Sequence, residues 1–211
     1  MDFDKVLDVA FREVGRGERN GSPTHIVRGS RIYHTTQADL WSAATEKERL
    51  RRWFGDVSGD LTFGGRFSIQ GNADGDIVTC DPPKSLAVTW EFGGTTSWVR
   101  ATIEEADDGV ILTIEHELPT DTKSEEHWDK YGPGAVGVGW ELWLLQLNMH
   151  LCSGGKPSTE AAAAWIETPQ GKVAMQAMAE AWGNAHIVAG SPAKIAEGMA
   201  ERTAKFYTGQ A

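Results

Sequence analysis

The chain is poor in cysteine: Cys80 and Cys152 are the only two in 211 residues. Two isolated thiols build neither a disulfide framework nor a Cys-x-x-Cys metal site, and they suit a reducing compartment. Basic charge is also short, with 20 Lys and Arg against 30 Asp and Glu and a formal net charge of -10. An acidic surface of that size argues against nucleic acid and anionic lipid as electrostatic partners. No apolar run approaches the ~18 residues that span a bilayer. The opening MDFDKVLDVAFREVG has neither the basic nor the apolar region of a secretory signal, so a cytoplasmic location is expected. The histidines (25, 34, 116, 127, 150 and 186) show no H-x-x-x-H or H-E-x-x-H spacing, so no metal is expected. A G-x-S-x-G nucleophile elbow is missing too, and nothing calls for a cofactor.

What the chain does have is tryptophan, nine of them, a residue that supplies apolar area and can wall a cavity. Turn signals crowd the middle third: GG at 64–65, DG at 74–75, PP at 82–83, GG at 93–94 and DG at 108–109. The runs between them are rich in Val, Ile, Thr, Phe and Trp, which predicts an antiparallel meander of about six strands. A further strand is expected near 26–34, where apolar and polar residues alternate. Apolar spacing predicts a helix over 3–14, and RGERNGSP (16–23) has the composition of a linker. Two short helices are expected within 37–54, broken near Thr45, with Thr45 and Glu48 forming a capping box. Residues 119–131 are a polar connection, and 159–211 reads as helical, with Thr168-Pro169 and Ser191-Pro192 as helix starts and Gly190 as a helix stop.

The stretch GPGAVG (132–137) matches the dinucleotide fingerprint G-x-G-x-x-G. The fingerprint also needs a parallel strand before it and an acid about 20 residues on, at the end of a second strand. Neither flank supplies one, so the glycines are read as a tight turn and close backbone approach ahead of a helix. That helix, near 137–152, carries Trp140, Trp143, Leu144, Leu147 and Leu151 on one face and Val138, Leu142, Leu145 and Met149 on another. A helix apolar on nearly all sides must be covered on nearly all sides. An antiparallel sheet that curls around it is one solution.

At this point RWFGDVSGDLTFGGRF (52–67), DPPKSLAVTWEF (81–92), LTIEHE (112–117) and the helix starting at Gly139-Trp140 resemble the SRPBCC, or START-like, superfamily. The match is to its branch named after the activator of the heat-shock-protein-90 ATPase, over residues 24–152. The tail ending RTAKFYTG is similar to extensions of bacterial, especially actinobacterial, members. The resemblance implies an α+β helix-grip fold: a seven-stranded antiparallel sheet around a long helix, with an apolar cavity between them. The expected organisation is an N-terminal helix and linker (1–22), a helix-grip domain (23–152) and a helical extension packed on it (153–211). Members of the superfamily bind small apolar molecules, act as cyclases or aromatases, or serve as co-chaperone modules.

Strand parity and helix facing give the candidate cavity residues. They are Phe67 and Ile69, Leu86, Val88 and Trp90, Leu112, Ile114 and His116 on strands, and Trp140, Trp143, Leu144 and Leu147 on the helix. The plain alternative is that they fill a solid core. His116 shares the apolar face and is the one candidate acid–base group, against the bland reading of a satisfied histidine. Glu115 and Glu117 point the other way. Glu141, Gln146 and His150 are polar positions on the helix, and Arg66 and Arg100 either anchor a ligand carboxylate or sit outward in salt bridges. The expected function is binding of a small apolar or aromatic ligand between sheet and helix. The alternatives are a cyclase or aromatase of polyketide-type metabolism, and a stress- or chaperone-associated interaction module. The tail helices are expected to pack on the domain, with a homodimer surface as the alternative.

Overall fold

The computed structural model describes residues 11–210. Eight strands form one antiparallel sheet: β1 (Phe11–Arg19), β2 (Ser22–Tyr33), β3 (Val57–Gly59), β4 (Arg66–Ile69), β5 (Asp74–Asp81), β6 (Ser85–Phe92), β7 (Thr95–Ala106) and β8 (Gly109–Pro119). Their spatial order is β1-β2-β8-β7-β6-β5-β4-β3, so β3 to β8 run as a meander and β2 closes onto β8. The chain crosses from β2 to β3 through two short helices, α1 (Gln37–Thr45) and α2 (Lys47–Trp53). After the sheet come α3 (Thr122–Tyr131), the long α4 (Gly134–Cys152), and three tail helices, α5 (Thr159–Ile166), α6 (Pro169–Val188) and α7 (Ala193–Thr208).

The eighth strand corrects the expectation of seven. The helix expected over 3–14 lies outside the described residues up to position 10, and from Phe11 onward the chain is extended. The supposed linker at 16–23 holds the turn of a hairpin. Asn20 and Gly21 both take positive φ, 52° and 79°, the conformation a two-residue hairpin turn needs. Two other local expectations shift. Thr45 donates its hydroxyl to the Trp41 carbonyl and does not cap α2, whose N-cap is Glu46. Thr168 caps α6 by accepting from the Gly171 N–H with Pro169 at the first position, whereas Pro192 is itself the residue preceding α7. Gly190, with φ 99°, stops α6 as expected.

Helix α4 lies between two apolar layers, and its two sequence faces divide between them. Trp140, Trp143, Leu144, Leu147 and Leu151 join the sheet core, with Val88, Trp90, Leu112 and Ile114. Val138, Leu142, Leu145 and Met149 pack instead with Met178, Ala179 and Trp182 of α6 and with Val27. Tyr33, fully buried at the end of β2, donates its hydroxyl to the Leu144 carbonyl at 2.9 Å and fixes the helix over the sheet.

The glycines ahead of α4 are not all a hinge. Gly132 ends α3 with φ 61° and is a true turn residue. Gly134, Gly137 and Gly139 lie inside the helix, where the missing side chain makes room for the tail. A Cβ on Gly134 would press on Thr203 at 3.1 Å, one on Gly139 would meet the Tyr207 hydroxyl at 3.0 Å, and one on Gly137 would penetrate the Trp182 indole. The nearest glycine motif to a phosphate loop is therefore a helix-packing notch.

Candidate functional site

Beside α4 the molecule opens into a cleft of about 1050 Å³. Its floor is Trp90 and Ser97 from the sheet, His116 from β8, and Trp140 and Trp143 from α4. The β6–β7 turn forms one wall with Phe92 and Gly93, and α3 forms another with His127, Trp128 and Tyr131. The tail supplies the far side through Trp165 of α5 and Phe206 and Tyr207 of α7.

The floor rings form one cluster. Trp90 lies 5.5 Å from Trp140 and 6.0 Å from Trp143, centroid to centroid, and Trp140 meets Trp143 at 5.0 Å edge to face. Tilted and edge-on pairs match positive ring edges to negative faces and hold the rings in place. Trp140 and Trp143 remain only partly buried, so their free surface faces the cleft.

His116 is held by a directional chain of hydrogen bonds. An indole N–H can only donate, so Trp140 Nε1 donates to His116 Nδ1 at 3.1 Å. The proton of the neutral imidazole then sits on Nε2, which donates to the Ser97 Oγ at 2.7 Å. Ser97 in turn donates to the Trp90 carbonyl at 3.2 Å. Both ring nitrogens are used, and burial pushes the His116 pKa down to about 3. The Ser97–His116 pair has the spacing of a nucleophile and its base but the opposite polarity, because the serine accepts the proton that a base would have to take. The satisfied-histidine reading fits this geometry.

That burial has a consequence for stability. The unfolded chain protonates His116 below about pH 6.5, and the folded chain refuses the proton until about pH 3. The neutral residue thus favours folding fully above pH 6.5, and the benefit declines as pH falls through that window, by roughly 1.4 kcal/mol per unit. Against His116→Gln, the wild-type chain is expected to lose about 2 kcal/mol more on going from pH 6.5 to pH 5, read by urea unfolding at each pH. Parallel pH profiles would show that His116 is not held neutral.

The other candidates divide cleanly. Trp90, His116, Trp140 and Trp143 line the cleft. Phe67, Ile69, Leu86, Val88, Leu112, Ile114, Leu144 and Leu147 belong to the sheet core and are not in its wall. Gln146 reaches the cleft. His150 is fully buried elsewhere and donates from Nδ1 to the Lys156 carbonyl at 2.9 Å. Glu141 faces the other way, paired with Arg12. Arg66 sits outward between Asp76 and Glu91, and Arg100 is exposed on β7 away from the cleft. Among the described residues, no group of three or more His, Cys, Asp or Glu is placed to hold a metal ion. No helix among them is long and apolar enough to cross a membrane.

Residues 119–131, expected to be a polar connection, hold helix α3 instead. Asp121 accepts from the Ser124 N–H and caps it, and the spacing of Trp128 and Tyr131 was the remaining signal. Trp128 is wedged between rings: His25 stacks on it at 3.8 Å and 6°, and His186 meets it edge-on at 5.6 Å. Burial lowers the His25 pKa, while its 2.7 Å contact with Glu125 opposes the shift. Thr203 donates to the Tyr131 carbonyl at 2.8 Å, so α7 satisfies the end of α3 and fixes this wall to the tail.

An eight-stranded antiparallel sheet, a long helix packed on its core face and an aromatic cleft at their junction define a helix-grip protein. Residues 34–151 match the family model described as Activator of Hsp90 ATPase homolog 1-like protein, and the chain belongs to that family. Among solved structures it is similar to CalU16 from Micromonospora echinospora, at 32% identity over 83% of this chain and 96% of that one, with a TM-score of 0.65. DynU16, a protein in the dynemicin biosynthetic locus, is 24% identical over 64% of this chain and 49% of that one, TM-score 0.55. EF2215 from Enterococcus faecalis is 17% identical over 86% and 94%, TM-score 0.57. The last two are likenesses of fold. A comparison with curated proteins found no match.

Proposed function

We propose that the chain binds a small aromatic or apolar molecule in the cleft, against Trp90, Trp140 and Trp143. The observation that carries this reading is the partly uncovered three-tryptophan floor of an open cleft of about 1050 Å³. A site of that size holds a drug-sized ligand, and burying its apolar surface yields roughly 25 cal/mol per Å². DynU16, from the dynemicin biosynthetic locus, puts one protein of this fold in small-molecule biosynthesis, a setting that suits such a ligand. The cyclase or aromatase reading needs a proton-transfer group facing the ligand. His116, its candidate, has both nitrogens occupied, so binding is favoured over catalysis.

Neutral 1-anilinonaphthalene is a suitable probe, since its fluorescence rises in apolar surroundings. Saturable binding to one site is expected, weakened about tenfold or more by Trp143→Ala, which removes one ring of the floor. Native mass spectrometry of freshly purified chain is expected to show a co-purified small molecule or displacement by the probe. No saturable binding, or binding indifferent to Trp143, would sink the reading.

A further inference from the structure

We infer that the cleft selects ligands carrying an anionic group, a carboxylate or sulfonate, at its mouth, with the apolar body on the tryptophan floor. The inference rests on the binding role proposed above and adds the chemical class of the ligand. Its basis is charge. The chain as a whole carries a formal net charge of -10, yet the cleft is lined by two lysines, Lys123 and Lys130, and a single carboxylate, Glu126. Lys123, His127 and Lys130 follow i, i+4, i+7 spacing, so α3 turns all three toward the opening.

The two ammonium groups are not spent on carboxylates. Lys123 Nζ donates to the Gly93 carbonyl across the mouth, in the β6–β7 turn, and a lysine has two further N–H donors to offer. Lys130 Nζ rests 4.9 Å from the centre of the Tyr131 ring. Among the described residues neither makes an ion pair, although Lys172 and Lys205 on the tail do. Lys123 is therefore already anchored at the opening, and Lys130 lies along an aromatic wall. Among the described residues Lys47, Lys84, Lys156 and Lys194 make no ion pair either, so what sets Lys123 and Lys130 apart is their place. Both line the cleft, where Glu126 is the one carboxylate, and together they are complementary to an anion brought by the ligand.

The test compares two probes sharing one body, neutral 1-anilinonaphthalene and its 8-sulfonate, on the full chain at low and high salt. The sulfonate is expected to bind more tightly at low salt. Lys123→Met with Lys130→Met, which keeps the apolar stems, is expected to weaken the sulfonate about tenfold and the neutral probe less than twofold. Glu126→Gln is expected to tighten the sulfonate alone. A control pair away from the cleft, Lys84→Met with Lys194→Met, is expected to change neither, and thermal melts report folding of each variant. If both probes bind the wild type but the cleft pair leaves their ratio unchanged, or the control pair lowers it equally, the anion inference fails and the apolar site stands. If neither probe binds, both readings fall.

Discussion

Replacing Arg12 with methionine is expected to lower the free energy of unfolding by about 3 kcal/mol at pH 7. Arg12 reaches from the edge strand β1 to α4, where its Nε and an Nη hold the Glu141 carboxylate at 2.6 and 2.8 Å. The side chain of Glu141 is 1% exposed. Burial raises its pKa, and the Arg12 hydrogen bonds and charge oppose that rise. Without Arg12 the carboxylate stays desolvated with its main partner gone, which is the costly half of a buried ion pair. Arg31 on β2 also places positive charge near Glu141, which keeps the expected loss at the lower end.

The sign of the pH dependence follows. In the variant, the folded pKa of Glu141 lies still further above the unfolded value near 4.5. A raised acid contributes fully below that value and loses its contribution as pH rises, so the defect should shrink at pH 5 and grow toward pH 7. Arg12→Met combined with Glu141→Gln removes the stranded carboxylate but keeps a polar group beside the buried Arg31, and should recover part of the stability. Denaturant unfolding at two pH values decides it. A loss under about 1 kcal/mol, or one independent of pH, would show that β1 is not pinned through this pair.

Periodicity carried α4 furthest. Its two apolar faces, read from spacing alone, are the faces that meet the sheet and the tail. The meander was legible because Gly64-Gly65, Pro82-Pro83, Gly93-Gly94 and Asp108-Gly109 mark its turns, although Asp74-Gly75 opens β5 and the β4–β5 turn falls at Gly71. Elsewhere the local signal was ambiguous. Phe11 and Val14 fit a helical spacing, but on the edge strand they fall on opposite faces, Val14 beside Arg12 and Arg16, and only Asn20-Gly21 betrayed the hairpin. Helix α3 has one buried residue, Trp128, so no apolar stripe exists to detect. Strand parity told which side Leu112, Ile114 and His116 face but not how far along the strand α4 covers them. Leu112 and Ile114 are sealed in the core, and His116 is at the cleft floor.

The cost of tail docking is measurable at the Gly137–Trp182 contact. Trp182 is 1% exposed and packs on α4 at Gly137 and on β2 near Gly29, 3.4 Å from where a Cβ would stand. Trp182→Ala is expected to cost about 4 kcal/mol, for lost burial plus the cavity left. Gly137→Ala adds a single methyl inside the indole and should cost about 2 kcal/mol, despite the better helix propensity of alanine. In the Trp182→Ala background the clash is gone and the propensity gain of up to about 1 kcal/mol survives, so the double variant should be no less stable than Trp182→Ala alone. The coupling expected from the cycle is about 2 to 3 kcal/mol. Additive costs would mean that α4 shifts freely away from the tail. The cleft ties this packing to the proposed binding, because Trp165, Phe206 and Tyr207, all on the tail, form part of its wall. Gly137→Ala should therefore also weaken binding of neutral 1-anilinonaphthalene, although residue 137 does not line the cleft. Unchanged binding in a variant destabilised by about 2 kcal/mol would separate the tail from the site.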